Sequence, residues 1–274
     1  MAEKLVSCDW VAEHLDDPAV RLVEVDVDTE AYDGAHIAGA VCWNWTSQLQ
    51  DQTRRDILTQ QAIEQLASAS GIANDTHVVL YGDNNNWFAA YALWLLELYG
   101  HTQVSLMDGG RVKWLADGRP TTAQAPSHGA TSYAAQPPDG TIRVRREEVL
   151  EIAERGGVQL IDVRSPAEFT GEVISPPGMS ESAQRGGHIP HAINVPWARA
   201  VNEDGTFKSA DELRLLYAAI IREDQQPIVA YCRIGERSSH TWFALKHIIG
   251  CRDVRNYDGS WTEYGSLIDA PIER

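Results

Sequence analysis

The feature that most constrains this chain is an internal repeat. Five blocks of the first half recur in the same order in the second: 21–25 with 159–163, 36–43 with 188–197, 78–81 with 228–231, Gly100 with Gly250, and 108–109 with 258–259. The spacing from the third block to the fifth is identical in both halves, which chance does not produce. Internal similarity of this kind indicates duplication. The 274 residues therefore predict two domains of ordinary size with one fold.

The two halves meet in a segment without apolar periodicity. Residues 118–141 are rich in proline, alanine, threonine, serine and glycine, a composition typical of an extended linker. We therefore expect a first domain at 1–120, a linker at 121–140 and a second domain at 141–274.

Short β-branched runs alternate with helical stretches in each half. In the second half we predict strands at 158–163, 192–196, 228–231 and 253–257, and helices at 211–222, capped by Ser209, and 238–249, ended by Gly250. This alternation predicts the α/β class, with a mostly parallel sheet covered by helices on both faces. Such sheets bind ligands beyond the carboxyl ends of their strands.

Cys232 lies at the end of a predicted strand, where such a ligand binds. Between it and the helix predicted to begin at Ser238 lie five loop residues: Arg233, Ile234, Gly235, Glu236 and Arg237. Unpaired N–H groups and the positive dipole at the helix start would face the thiol, as would two guanidinium groups. Such surroundings lower the pKa of a thiol, so we predict that Cys232 is an activated nucleophile.

The first half lacks this nucleophile. Without gaps, Cys232 aligns with Gly82, and the loop 82–87 contains neither a thiol nor a basic residue. We therefore expect one catalytic domain, the second, and one supporting domain.

Composition excludes several other classes of function. The formal charge of −16 argues against nucleic acid or an anionic membrane as a partner. Cys8, Cys42 and Cys251 form no close pair with each other or with Cys232, so we expect inert thiols, no metal site and no cofactor. The N-terminal sequence has no signal-peptide pattern, and no segment has the length of a membrane span. We expect a cytoplasmic monomer.

Three chemistries use a cysteine in a loop before a helix. Phosphate ester hydrolysis usually requires Cys-x5-Arg, whereas Cys232 and Arg237 are spaced Cys-x4-Arg, which makes a smaller ring of N–H groups. Thiol–disulfide exchange requires a second cysteine nearby, and the sequence has none there. Transfer of a sulfane sulfur through a persulfide is the reaction that the spacing favours. A module that senses anions or carries sulfur without catalysis is the alternative.

Three motifs resemble the two-domain rhodaneses, the thiosulfate sulfurtransferases: the loop 232–237, the block 257–261, and the doubled His-Ile-x-x-Ala block. The resemblance implies that Cys232 forms the persulfide and that the N–H groups of residues 233–237 point at its sulfur. Arg233 matches a basic residue that favours thiosulfate, because the mercaptopyruvate branch of the family has a Gly-Ser pair there. The implied acceptors are cyanide, a thiol or another protein.

Two departures from the family pattern bear on the anion site. Ile234 replaces a second basic residue, and Glu168 stands where many members have an arginine. We expect Arg185, in the insertion 171–187, to replace that anion clamp. The other loop residues complete the predicted substrate site: Gly235, Glu236 through its backbone N–H, Arg237, and Ser238. Arg237 has an alternative role in a structural ion pair with Glu236 or with the acidic strand end formed by Asp162 and Glu168.

Overall fold

The computed structural model describes residues 3–176, 182–221 and 226–274. It divides into two compact units, residues 1–139 with 203–206, and residues 140–202 with 207–274. Most of the segment predicted as a linker falls within the first unit. Its backbone N–H groups at Thr131 and Gln136 donate to the carbonyls of Ser68 and Tyr99, so it runs extended along that unit.

The first unit contains a five-stranded parallel sheet in the order β1-β5-β4-β2-β3. Its strands are β1 (Leu5–Val6), β2 (Val20–Asp26), β3 (Val41–Asn44), β4 (His77–Tyr81) and β5 (Val104–Met107). Its helices are α1 (Cys8–Glu13), α2 (Glu30–Gly34), α3 (Trp45–Gln48), α4 (Gln60–Ala69), α5 (Trp87–Leu98) and α6 (Gly110–Ala116). Helix α5 is apolar on nearly all sides and almost completely buried, as expected of a helix in a protein core.

The second unit contains a four-stranded parallel sheet in the order β7-β6-β8-β9. Its strands are β6 (Gln159–Asp162), β7 (Ile193–Asn194), β8 (Ile228–Tyr231) and β9 (Val254–Tyr257). Its helices are α7 (Arg146–Arg155), α8 (Pro166–Thr170), α9 (Ala210–Leu216), α10 (Glu236–Phe243) and α11 (Ser260–Tyr264), and a π-helical turn, Ala244–Ile249, continues α10. The predicted α/β class, with parallel sheets flanked by helices, is confirmed.

The helix after Cys232 begins earlier than predicted. Its first residue is Glu236 rather than Ser238, because Gly235 adopts a left-handed conformation (φ 104°) that ends the loop. Helix α9 has the predicted cap, in which Ser209 and Glu212 form a reciprocal capping box. The predicted end of that helix, Arg222, and residues 177–181 of the insertion lie outside the described residues.

The duplication is also visible in tertiary hydrogen bonds. In the first unit the backbone N–H of Ile37 donates to the hydroxyl of Tyr81 (3.1 Å), and in the second the N–H of Ile189 donates to that of Tyr231 (3.2 Å). Both tyrosines end the strand that precedes the loop of interest. The two sheets therefore present equivalent loops at their carboxyl edges.

None of the helices in the described parts of the chain combines the length and the apolar character needed to cross a bilayer.

Candidate active site

The thiol of Cys232 lies at the carboxyl end of β8 and is completely buried. The chain turns at Gly235, whose N–H donates to Sγ of Cys232 (3.1 Å). Helix α10 begins at the next residue, so the sulfur faces the start of a helix as predicted from the sequence. A helix start offers N–H groups and a partial positive charge to an anion.

Helix α11 holds the loop in place from the adjacent strand. The N–H groups of Trp261 and Thr262 donate to the carbonyls of Cys232 (3.1 Å) and Arg233 (3.0 Å). The hydroxyl of Ser260 accepts the N–H of Cys232 (3.0 Å). The hydrogen bonds that fix the loop explain why the block 257–261 accompanies it in the sequence.

Glu236 directs its carboxylate, as well as its backbone, into the site. Sγ of Cys232 donates to Oε2 of Glu236 across 3.2 Å, and the Glu236 side chain is buried. Burial and then the charge of Glu236 raise the pKa of the Cys232 thiol, outweighing Arg237 and Ser238, which lower it. The predicted lowering of this pKa is therefore wrong for the resting site, and so is the expectation that Glu236 contributes only its N–H.

Arg237 forms a buried ion pair with Glu168. Its Nη1 and Nη2 donate to the two carboxylate oxygens, both across 3.0 Å, and its Nε lies 3.5 Å from Oε1 of Glu236. Both partners of the bidentate pair are almost fully buried. Of the two roles considered for Arg237, the structure shows the ion pair.

Arg233 and Ile234 are both buried in the loop, 7 % and 5 % exposed. The apolar side chain at 234 contributes no charge, which leaves Arg233 as the cationic loop residue that is not part of the Glu168 pair.

The hydroxyls of two serines also lie near the sulfur, and Ser238 is the one that the sequence predicted. Oγ of Ser238 lies 3.6 Å from Sγ and donates to Oδ1 of Asn256 (2.7 Å), while Oγ of Ser260 lies 3.9 Å from Sγ. Sequence reasoning missed Ser260 and Asn256 as site residues. A polar asparagine within the buried strand β9 was the signal available for the second.

The guanidinium of Arg185 binds backbone carbonyls rather than the position predicted for a substrate arginine. Its guanidinium donates to the backbone carbonyls of Gly265 (3.2 Å), Leu267 (2.7 Å) and Ala270 (2.9 Å). These bonds hold the C-terminal segment of the unit. The prediction that Arg185 replaces a substrate arginine is therefore corrected: its guanidinium serves the backbone.

The histidines have structural contacts. Nδ1 of His36 pairs with the carbonyl of Tyr32 (2.8 Å), and Nδ1 of His188 with that of Phe169 (2.9 Å). His240 is fully buried and stacks on Phe207, with ring centroids 4.4 Å apart. These contacts give the three rings roles in backbone bonding and packing.

The other three cysteines are free thiols, of which Cys8 is buried and Cys42 and Cys251 are partly buried. Burial raises the pKa of Cys8 to about 11 and that of Cys42 to about 12, and it also raises the pKa of Cys251. Among the described residues, no three or more metal-ligating side chains form a cluster that could hold an ion.

Comparisons with known proteins identify this fold. A family model described as a rhodanese-like domain matches residues 7–117 and 145–267. A Haloferax volcanii protein with the provisional name of thiosulfate sulfurtransferase is 56% identical over 275 residues, which cover 98% of this chain and 96% of that protein. The sulfur carrier protein TtuD of Thermus thermophilus is 50% identical over 276 residues, 99% of this chain and 97% of that protein.

A solved structure supports the same assignment. The crystal structure of SseA from Escherichia coli, described as a 3-mercaptopyruvate sulfotransferase, has a TM-score of 0.78 and 27% identity, and the match covers 95% of this chain and 99% of that one. With its two matched domains, the chain belongs to the rhodanese family.

Proposed function

We propose that this chain is a thiosulfate sulfurtransferase that carries sulfane sulfur as a persulfide on Cys232. The observation that carries the proposal is the position of Sγ, 3.1 Å from the N–H of Gly235 at the start of α10. A thiolate or a persulfide anion at that place is stabilised by N–H donors that need not move.

The reaction proceeds in two half-reactions. The thiolate of Cys232 attacks the outer sulfur of thiosulfate, the S–S bond of the donor breaks, and sulfite leaves. The persulfide then gives its outer sulfur to cyanide, a thiol or a protein acceptor, and the Cys232 thiol is restored. Covalent catalysis of this type gives ping-pong kinetics.

Arg233 supports thiosulfate as the donor. Arg237 is paired with Glu168, and Arg185 with backbone carbonyls. We assign the neutralisation of the departing sulfite to Arg233, the residue that directly follows Cys232 in the loop, since a guanidinium suits an oxyanion in bidentate geometry.

Mass spectrometry tests the persulfide directly. Incubation with thiosulfate is expected to add about 32 Da, one sulfur atom, to the wild-type chain and nothing to Cys232→Ser. Absence of the adduct on the wild type contradicts the proposal. Steady-state kcat/KM for thiosulfate and for 3-mercaptopyruvate then decides the donor, and a large preference for mercaptopyruvate overturns our choice.

A sulfur carrier is the second candidate, favoured by the 50% identity to a protein with that name. A carrier also forms the adduct, but it releases sulfur to a protein partner and turns over slowly with cyanide. Thiocyanate formation over many cycles supports the enzyme, whereas a single stoichiometric burst supports the carrier.

A further inference from the structure

Glu236 contacts the reacting sulfur, and the two half-reactions above have no assigned proton acceptor. Building on the proposed function, we propose that Glu236 is the proton relay of Cys232. Its carboxylate takes the thiol proton when sulfur is loaded and returns it when sulfur is unloaded.

The geometry holds this carboxylate at the sulfur. Glu236 is the first residue of α10, four positions after Cys232, and its Oε2 accepts the Sγ proton across 3.2 Å. Its other oxygen, Oε1, lies 3.5 Å from Nε of Arg237. Glu168 fixes Arg237 from α8 by the bidentate pair. The chain Glu168–Arg237–Glu236–Cys232 thus forms a buried line of alternating charge that ends at the thiol.

A proton acceptor is needed because the buried thiol is protonated at rest. Burial and Glu236 itself raise the pKa of Cys232, whereas the thiolate is the form that attacks. For the same reason Cys232 leaves poorly as a bare thiolate during unloading. A carboxylate in contact with the sulfur can take the proton before attack and return it when Cys232 leaves.

The neighbouring groups are less suited to this task. From α10, Ser238 places a hydroxyl 3.6 Å from Sγ, and Ser260, the first residue of α11, places one at 3.9 Å, but hydroxyls are poor bases at neutral pH. Asp258 packs against Gly235 and is held by Arg143 through two bonds of 2.8 Å. Glu168 is engaged by Arg237. The Glu236 carboxylate is therefore the base in contact with the sulfur.

The steps balance in atoms and charge. During loading, the proton passes from Sγ to Oε2, Sγ bonds to the outer sulfur of thiosulfate, the donor S–S bond breaks, and sulfite leaves with the electron pair. Glu236 is then a neutral acid beside a persulfide anion. During unloading, the acceptor nucleophile bonds to the outer sulfur, the persulfide S–S bond breaks, and the proton returns from Oε2 to Sγ.

The inactive loop lacks this group. Asn86 occupies the position of Glu236, four residues after Gly82, and its amide donates to the carbonyl of Met107 (2.7 Å). An amide accepts no proton at neutral pH. The thiol and the carboxylate are thus both absent from the equivalent positions of the first loop.

The pH dependence of single-turnover loading in Glu236→Gln and Glu236→Asp tests the relay. In the wild type we expect a rate that is independent of pH around neutrality. In Glu236→Gln we expect a loss of at least about tenfold at neutral pH, with the rate then rising about tenfold per pH unit as hydroxide replaces the base. Glu236→Asp keeps a carboxylate and restores the flat profile. Glu151→Gln, an exposed residue of α7, matches the change in net charge and leaves the rate unchanged.

One result overturns the relay. In it, the pH–rate profile of Glu236→Gln has the wild-type form but is displaced to lower pH, and the variant is loaded as fast as the wild type or faster. The carboxylate would then only suppress thiolate formation. Should Glu236→Gln fail to fold, the wild type still decides, because a relay gives a solvent deuterium isotope effect on loading and its absence contradicts the relay. The pH profile of Cys232 alkylation by iodoacetamide provides the same comparison without a sulfur donor. Failure of the proposed function, seen as no sulfur adduct, is thereby distinguished from failure of the relay.

Discussion

The loops after β4 and β8 follow equivalent strands and are held by equivalent backbone bonds, yet one contains the thiol and the other cannot accommodate it. The N–H of Arg111 donates to the carbonyl of Gly82 (3.0 Å), as the N–H of Trp261 donates to that of Cys232 (3.1 Å). A Cβ atom at Gly82 would lie 2.3 Å from the carbonyl oxygen of Val25. Both copies therefore have the same backbone scaffold, but only the loop after β8 has space for a side chain at this position.

A compensating change accompanies the missing side chain. In the catalytic loop the hydroxyl of Ser260 accepts the N–H of Cys232, and in the first unit the side chain of Asn86 accepts the N–H of Gly82 (2.9 Å). Gly110 aligns with Ser260, and a Cβ there would lie 2.4 Å from Oδ1 of Asn86. The difference teaches that the first loop is filled around a glycine, so we expect that restoring the thiol alone does not create a second site.

The largest effect is expected from Gly235→Ala, which breaks the catalytic loop itself. Gly235 has φ 104°, and a Cβ would lie 3.0 Å from both Cα and O of Asp258. We expect destabilisation of about 2–4 kcal/mol and a loss of about 100-fold in sulfur transfer, because its N–H moves away from Sγ. Chemical denaturation and single-turnover loading measure the two effects.

Gly250→Ala is the matched control for that substitution. Gly250 also has a positive φ, 90°, but nothing lies within 4 Å of the added Cβ. It should cost about 1–2 kcal/mol and leave transfer intact. Equal losses of transfer in the two variants would show that strain, rather than loop position, causes the effect.

The next effect is expected from Glu168→Gln, which removes the charge that pairs with Arg237. The buried guanidinium then lacks its partner, at a cost of about 3–5 kcal/mol in the free energy of unfolding. Burial alone would raise the pKa of Glu168, but Arg237 and Ser165 outweigh it and hold that pKa below its ordinary value. The pair therefore stabilises the fold above the ordinary glutamate pKa, and this stability is lost as pH falls through the lowered value.

Glu212→Gln provides the comparison, since Glu212 makes the same kind of capping box with Ser209 but is exposed. Denaturation at neutral pH should show a much smaller change in the free energy of unfolding for this variant than for Glu168→Gln. A similar loss of free energy of unfolding in Glu168→Gln and Glu212→Gln would show that the lost helix cap, and not the ion pair, causes the effect.

Gly82→Cys tests whether the first loop can be converted. The added side chain meets the Val25 carbonyl and Asp26, so we expect destabilisation of about 1–3 kcal/mol and no new activity. After thiosulfate treatment, the intact mass should still show one sulfur adduct per chain. A second adduct would contradict the view that the inactive site is closed by its backbone.

The smallest effect is expected from Asp26→Asn in the first unit. Burial, together with the charges of Asp83 and Glu24, raises the pKa of Asp26 to about 8. A raised acid pKa makes the fold most stable below the ordinary aspartate pKa, and this stability is lost as pH rises through about 8. The Tm advantage of Asp26→Asn should therefore grow by a few degrees from about pH 5 to about pH 9. A constant difference across that range would contradict the assignment.

The sequence predicted what local pattern controls and failed where distant groups meet. The strand Ile228–Tyr231 and the Ser209 cap follow from neighbouring residues, and the structure has both. The hydrogen bonds of Arg185 to the carbonyls of Gly265, Leu267 and Ala270 join positions 80 to 85 apart along the chain, beyond any local pattern.

Burial explains the remaining error. A cysteine before a helix start predicts a lowered pKa when the thiol is partly solvated, but Sγ of Cys232 is enclosed and bonded to a carboxylate. Neither the enclosure nor the direction of the Glu236 side chain is encoded by spacing. The position of Cys232 at the end of its strand was therefore predictable, whereas the protonation state of its thiol at rest was not.

The two bonds from α11 to the loop carbonyls have one more consequence. With the carbonyls of Cys232 and Arg233 held by Trp261 and Thr262, the first two peptide planes of the loop cannot flip. In the proposed cycle these two carbonyls therefore stay in place while the charge on the sulfur appears and disappears. The backbone dipoles that solvate the anion are thus fixed in advance. The reorganisation that water would require at every transfer is avoided.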